Sequence, residues 1–203
     1  MDGSAEAIGS VNTIVNTGGQ LRAYNTDYLA DCQVPVDHAL AVLGSGGMAR
    51  PWWRRCATPA STLGRWLPAT PGPGRPWPSG TAILGGAEVG ASRPQLLVNA
   101  TPVGMSGGPA ADDLPVAPEV VDAAETVLDV VAAPALTPLV RRARAQGKQV
   151  ITGAEVIALQ AVEQFVLYTG RPPQRRLGPS RLSVLPRVGR HLELPYGPTT
   201  SAR

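Results

Sequence analysis

A short apolar run, Ala39-Leu40-Ala41-Val42-Leu43, passes directly into Gly44-Ser45-Gly46-Gly47. An apolar run this short, with no polar residue alternating through it, reads as a strand covered on both faces, the usual condition in a parallel sheet. A parallel strand must hand over to a crossover, usually a helix, before its neighbour can be reached. The expected crossover is missing: residues 51–80 hold seven prolines, all four tryptophans and four arginines, with no acidic residue and no lysine. Each proline inside a helix removes a hydrogen bond and costs roughly 3 kcal/mol, so no uninterrupted helix fits. Gly64-Arg65-Trp66, within that stretch, reads as having no strand around it.

On either side the patterns are regular. Ser10 to Asn16 alternates polar and apolar residues, Thr17-Gly18-Gly19 follows, and Gln20 to Tyr24 is extended again, which predicts a β-hairpin. Asn25-Thr26-Asp27 offers N-cap chemistry for a short helix through about Cys32. From about Ala87 the chain predicts a strand at Gln95–Asn99, a short helix at 118–125, a buried strand at Val127–Val131, a helix from Thr137-Pro138 to Gly147, and a strand at Gln149–Ile151. Thr152-Gly153-Ala154-Glu155 is a capping-box signature. The helix it opens carries Val156, Leu159, Val162, Phe165 and Val166 before Gly170 and Pro172-Pro173 stop it.

Strands alternating with helices predict an α/β protein with a Rossmann-like parallel sheet, and the hairpin belongs to something else. We expect residues 1–36 to form one incomplete unit and 37–152 a Rossmann-like domain, aberrant over 51–86. Residues 153–173 are expected to form a helix packing back on the first unit, and 174–203 a disordered tail.

The formal charge of +3 does not point to nucleic acid. Ten of the 18 basic residues lie in 51–80 and 174–203, which hold one acidic residue between them; the rest of the chain carries a net charge of −6. The basic stretches show neither a helical stripe nor a binding motif. No apolar run reaches the roughly 18–20 residues that cross a bilayer, and Asp2 and Glu6 stand where a leader would be basic, so a soluble cytoplasmic protein is expected. Cys32 and Cys56 have no metal-ligand spacing, and no metal site is expected.

Several residues could carry chemistry. Glycines at 44, 46 and 47 after a strand suit the approach of a pyrophosphate, although a tight turn explains them equally well. Asn99 to Met105 follows a strand end, where ligands gather in open α/β sheets; a capped turn is the alternative. Asn25-Thr26-Asp27 suits a hydroxylated ligand or a helix cap. Gln160 and Gln164, at i and i+4, suit a polar substrate or water.

In order along the chain stand Gly9-Ser10-Val11-Asn12-Thr13, Tyr24-Asn25-Thr26-Asp27, Val42-Leu43-Gly44-Ser45-Gly46-Gly47-Met48-Ala49, Asn99-Ala100-Thr101-Pro102-Val103-Gly104-Met105, Leu128-Asp129-Val130-Val131 with Thr137-Pro138-Leu139, and Leu159-Gln160-Ala161 with Gln164-Phe165 and Thr169-Gly170. Together they resemble the shikimate dehydrogenase family over 2–50 and 87–173. The branch most resembled is the shikimate dehydrogenase-like one, because Ala132 stands where the main branch usually has tyrosine.

The resemblance implies reversible hydride transfer between NADPH and 3-dehydroshikimate, with shikimate or a relative as small-molecule substrate, in chorismate and aromatic amino acid biosynthesis; it makes residues 1–36 the remnant of a truncated α/β substrate domain and 37–152 the NADP-binding domain. It implies ring-hydroxyl contacts for Asn12, Asp27 and Gln160, a catalytic role for Asp27 as partner of a lysine, a dinucleotide turn at Gly44, Gly46 and Gly47, and cofactor contacts along Asn99, Thr101 and Gly104. The family's serine-rich motif and its Asn-Val-Thr-x-Pro-x-Lys motif precede the point where these residues begin, and the only lysine here is Lys148. Loss of the proton donor is expected to slow such a reaction by about two to four orders of magnitude. Residues 51–86 replace a helix, a strand and a phosphate-reading motif, and their richness in Pro, Arg, Trp and Gly is what shifted reading of GC-rich codons produces.

Overall fold

The structure, a computed structural model, describes residues 5–6, 9–26, 40–44, 46–49, 64–67, 82–83 and 93–171, with 64–67 and 82–83 described as backbone. Strands β1 (Thr13–Thr17) and β2 (Gln20–Tyr24) pair antiparallel, with Thr17 opposite Gln20. Gly18 and Gly19 between them have φ of +57° and +86°, the left-handed pair that a two-residue hairpin turn demands. Asn16 Oδ1 accepts from the Gly19 N–H at 3.0 Å and closes the turn.

Six strands form one parallel sheet: β3 (Leu40–Leu43), β4 (Gly64–Leu67), β5 (Ala82–Ile83), β6 (Leu96–Asn99), β7 (Thr126–Asp129) and β8 (Gln149–Thr152), in the order β5-β4-β3-β6-β7-β8. That order is the doubly wound arrangement of a Rossmann-like α/β fold. One expectation is corrected here. Gly64-Arg65-Trp66, expected to have no strand around it, lies in Gly64–Leu67, which pairs with β3 in register, Leu40 with Gly64 and Leu43 with Leu67, and continues to β5. Ladder pairing is made by backbone groups and set by the neighbouring strand, so Pro and Gly on either side do not prevent a four-residue strand from joining the free side of β3.

The apolar run of the central strand is explained by its two covered faces. Ala41 and Leu43 join Leu97, Val127 and residues of helices α1 (Pro118–Ala123) and α2 (Pro138–Ala145). Leu40 and Val42 point the other way, to Leu96, Val98, Leu128, Ala49 and Val156 of helix α3 (Gly153–Thr169). Successive strand residues alternate faces, so a strand buried on both sides has no polar position to spare.

Local signals set the helix ends. Thr137 Oγ1 accepts from the Val140 N–H at 3.1 Å ahead of Pro138. Thr152 and Glu155 form the reciprocal capping box, and Gly170, at φ +65°, ends α3. The apolar stripe of α3 departs from the periodicity in two places: Phe165 is 46% exposed, while Glu163 is only 4% exposed, in line with Leu159 and Val166. The expected helix at Asn25–Cys32 runs beyond the described residues after Thr26, and Cys56 and the 174–203 tail lie outside them.

Candidate functional site

Strands after β3 step outward one way and strands after β6 the other, so β3 and β6 flank the topological switch point of the sheet. In open α/β sheets, ligands bind outside the carboxyl ends of those two strands. The Ala100 N–H donates to Leu43 O at 2.8 Å and fixes the two strand ends together. Gly44 has φ +113°, and a Cβ built on it falls 2.6 Å from the Ala100 carbonyl oxygen. Only glycine allows both the dihedral and the approach. Gly46 and Gly47 are exposed, and a Cβ on Gly47 falls 3.0 Å from Ser10 Oγ. The beginning of the hairpin segment therefore stands beside the glycine turn.

Across the switch point, Asn99 is fully buried with every capacity of its amide used. Nδ2 donates to Val103 O at 3.2 Å and Asp129 Oδ1 at 3.0 Å, and Oδ1 accepts from Thr101 N at 3.1 Å and Thr101 Oγ1 at 2.6 Å. Thr101 Oγ1 also accepts from the Val103 N–H at 3.2 Å. What Asn99 and Thr101 hold in place is the loop itself. Gly104, at φ +88°, packs beside Thr137. Burial pushes the Asp129 carboxyl up, and hydrogen bonds from Thr137, Val131 and Asn99 draw it back.

A second polar cluster joins the hairpin to α3. Asn12 Oδ1 accepts from the Thr26 N–H at 2.9 Å, Thr26 Oγ1 at 3.1 Å and Thr13 Oγ1 at 2.9 Å. The backbone donor fixes which end of the amide is oxygen, so Nδ2 faces outward; among the described residues nothing accepts from it. Gln164 Nε2 donates to Thr13 Oγ1 at 3.2 Å and brings α3 to the hairpin. Asn25 Nδ2 donates to Ser10 O at 3.1 Å. Gln160, one turn before Gln164, is half-buried and bonds to no described group. Asp27 lies outside the described residues.

The structure thus brings Asn12 and Gln164 together through Thr13, and Gly44 together with the Asn99 loop. Sequence reasoning had passed over Asp129 and Thr137 as connectors, because their partners lie 30 and 8 residues apart along the chain. Lys148 is not a surface ammonium free in solvent: Nζ donates to Asp122 O at 2.8 Å and Ala124 O at 2.5 Å and satisfies the end of α1. Nearby, Asp122 forms a pair with Arg142 at 2.7 Å, and hydrogen bonds from Arg142 and then Gln146 hold its carboxyl below the ordinary range. Among the described residues no group of three or more His, Cys, Asp or Glu could hold a metal, and no helix is long and apolar enough to cross a membrane.

No family model matches the chain. A shikimate dehydrogenase-like protein of Haemophilus influenzae is 42% identical over 186 residues, which take in 86% of this chain and 66% of that protein. A shikimate dehydrogenase (NADP(+)) of Halothermothrix orenii is 30% identical over 217 residues, 92% of this chain and 71% of the relative. A solved shikimate 5-dehydrogenase-like protein superposes with a TM-score of 0.73 at 38% identity, covering 85% of this chain and 66% of the other. Shikimate 5-dehydrogenase of Thermus thermophilus, solved in complex with NADP(H) and shikimate, superposes with a TM-score of 0.66 at 27% identity, covering 67% of that chain. The chain spans about two thirds of the length of these relatives. With a doubly wound sheet, a glycine turn at its switch point and a relative matched along 71% of its length, the chain belongs to the shikimate dehydrogenase family.

Proposed function

We propose that the chain takes up NADP at the glycine turn and a hydroxylated ring beside it, as an oxidoreductase interconverting 3-dehydroshikimate and shikimate. The observation that carries this reading is the approach of Ser10 Oγ to Gly47, 3.0 Å from where a Cβ would fall, which puts the start of the hairpin segment beside the glycine turn. The exposed backbone at Gly46 and Gly47 suits a pyrophosphate, because neither residue has a side chain of its own to stand between an anion and the amides. In this reading Gly44, Gly46 and Gly47 receive the cofactor, and Asn99, Thr101 and Gly104 hold the loop along it. Asn12, whose Nδ2 meets no acceptor among the described residues, and Gln160 donate to or accept from ring hydroxyls, and Asp27 joins them. The Thermus thermophilus neighbour's complex with NADP(H) and shikimate supports the same pair of ligands.

A bound NADPH supplies the hydride, so what the protein must add is orientation and a proton for the reacting oxygen. Here one observation favours a second reading, uptake of the nucleotide without turnover. Lys148 is the only lysine among these 203 residues, and its ammonium is engaged by two helix-end carbonyls. Purified chain assayed for NADPH formation from shikimate and NADP at alkaline pH decides between the two. The expected result is a rate at least ~100-fold below that of the Halothermothrix orenii relative, with NADPH binding detectable by its fluorescence. Rates equal to the relative's would show that a proton donor other than lysine works here; no binding and no turnover would refute both readings.

A further inference from the structure

We propose that Asp129 is a positioning residue of the dinucleotide site, one carboxylate that holds three segments of the switch-point rim in register. The proposal rests on the dinucleotide reading above. Asp129 ends β7 directly beside Asn99, its register partner at the end of β6. Its neighbours Thr126 to Leu128 are all buried, and an apolar residue would be the inexpensive choice at this position. A buried carboxylate is costly unless its oxygens are hydrogen-bonded.

The three donors are what make the position informative. Oδ1 accepts from Asn99 Nδ2 at 3.0 Å and from the Val131 N–H at 3.1 Å, and Oδ2 accepts from Thr137 Oγ1 at 2.6 Å. Each donor opens a different segment of the carboxyl rim. Asn99 holds Thr101 and, through it, Val103; Val131 begins the loop toward α2; Thr137 is the N-cap of α2 and packs on Gly104. The first of these segments starts at Ala100, whose carbonyl lies against Gly44. Loosening Asp129 therefore displaces the wall of the glycine turn without touching a ligand.

The test uses the 203-residue chain with Asp129→Asn, which keeps the shape but removes the charge and one acceptor: toward Asn99 and Val131 the new NH2 group meets only donors, and toward Thr137 it takes away the oxygen that the hydroxyl bonds. Amide exchange at Thr101 and Val103 is expected to accelerate ~100-fold while Leu97, Val98 and the interior of α3 keep their protection. The NADPH dissociation constant is expected to rise ~10-fold or more, as displacement of a binding element by a fraction of an ångström does. Asp122→Asn, which breaks a surface pair on the far end of α1, should change neither. Wild-type exchange rates at Thr101 and Val103 in Asp129→Asn, or a loosened loop with unchanged NADPH affinity, would overturn the role of Asp129. Absence of NADPH uptake by the unsubstituted chain would instead overturn the dinucleotide reading, whatever the loop does. Thr137→Ser, which keeps the hydroxyl, should bind like wild type, whereas Thr137→Ala should follow Asp129→Asn in part; equal behaviour of the two would count against a hydrogen-bonded clamp.

Discussion

Gly44→Ala is expected to lower the thermal midpoint by roughly 5–15 °C and to abolish dinucleotide uptake. Two penalties combine at this position. A non-glycine residue at φ +113° is strained, and its Cβ must find room within 2.6 Å of the Ala100 carbonyl oxygen. That oxygen belongs to backbone held by the Leu43 carbonyl through the Ala100 N–H at 2.8 Å, so it cannot simply swing aside. Strain and overpacking together should cost about 2–5 kcal/mol. Gly46→Ala is the comparison: nothing lies within 4 Å of a Cβ there, and the cost should stay under about 1 kcal/mol. Thermal melts of both variants, followed by circular dichroism, check the claim. Equal midpoints would mean that the close approach of β3 and β6 does not require the glycine.

Glu163→Met should move stability in the opposite direction, by about 1–3 kcal/mol at neutral pH. Glu163 stands in the buried stripe of α3, and among the described residues its Oε2 has no hydrogen-bond partner. Desolvation raises its carboxyl above the ordinary value of 4.5. The sign follows from proton linkage: the folded chain binds this proton more tightly than the unfolded chain does. Stability is therefore lost as pH rises from the unfolded value through the raised folded value, and the penalty is complete above it. The advantage of Glu163→Met should accordingly be smallest near pH 4 and grow toward pH 7. Denaturant melts of the two chains at several pH values test this; an advantage that shrinks as pH rises would mean that Glu163 is paired and ionised in the folded chain.

How much of this was legible beforehand varies with the range of the interactions. The capping box at Thr152–Glu155 and the glycine pair at 18–19 are set by residues within four positions of one another, and both formed as read. The apolar run at Leu40–Leu43 announced a strand covered on both faces for the same reason. The strand at Gly64–Leu67 was not legible, because its pairing is dictated by β3 rather than by its own composition. Glu163 was hidden by its type, since a glutamate one position from Gln164 on a helix is ordinarily read as solvated. Asn99 and Thr101 were expected along a ligand; only their hydrogen bonds reveal that both side chains are spent inside the protein.

The caps of the two longer helices have a consequence for charge. At the starts of α2 and α3, Thr137, Thr152 and Glu155 already occupy first-turn amides, and Glu155 adds a negative charge of its own. A polyanion drifting along the carboxyl rim is thus turned away electrostatically at α3 and finds part of the α2 terminus already claimed. Among the described residues the exposed backbone at Gly46 and Gly47, with the Ser10 hydroxyl beside it, carries no such carboxylate cap, so the rim sorts anions by where its own side chains have declined to act as one.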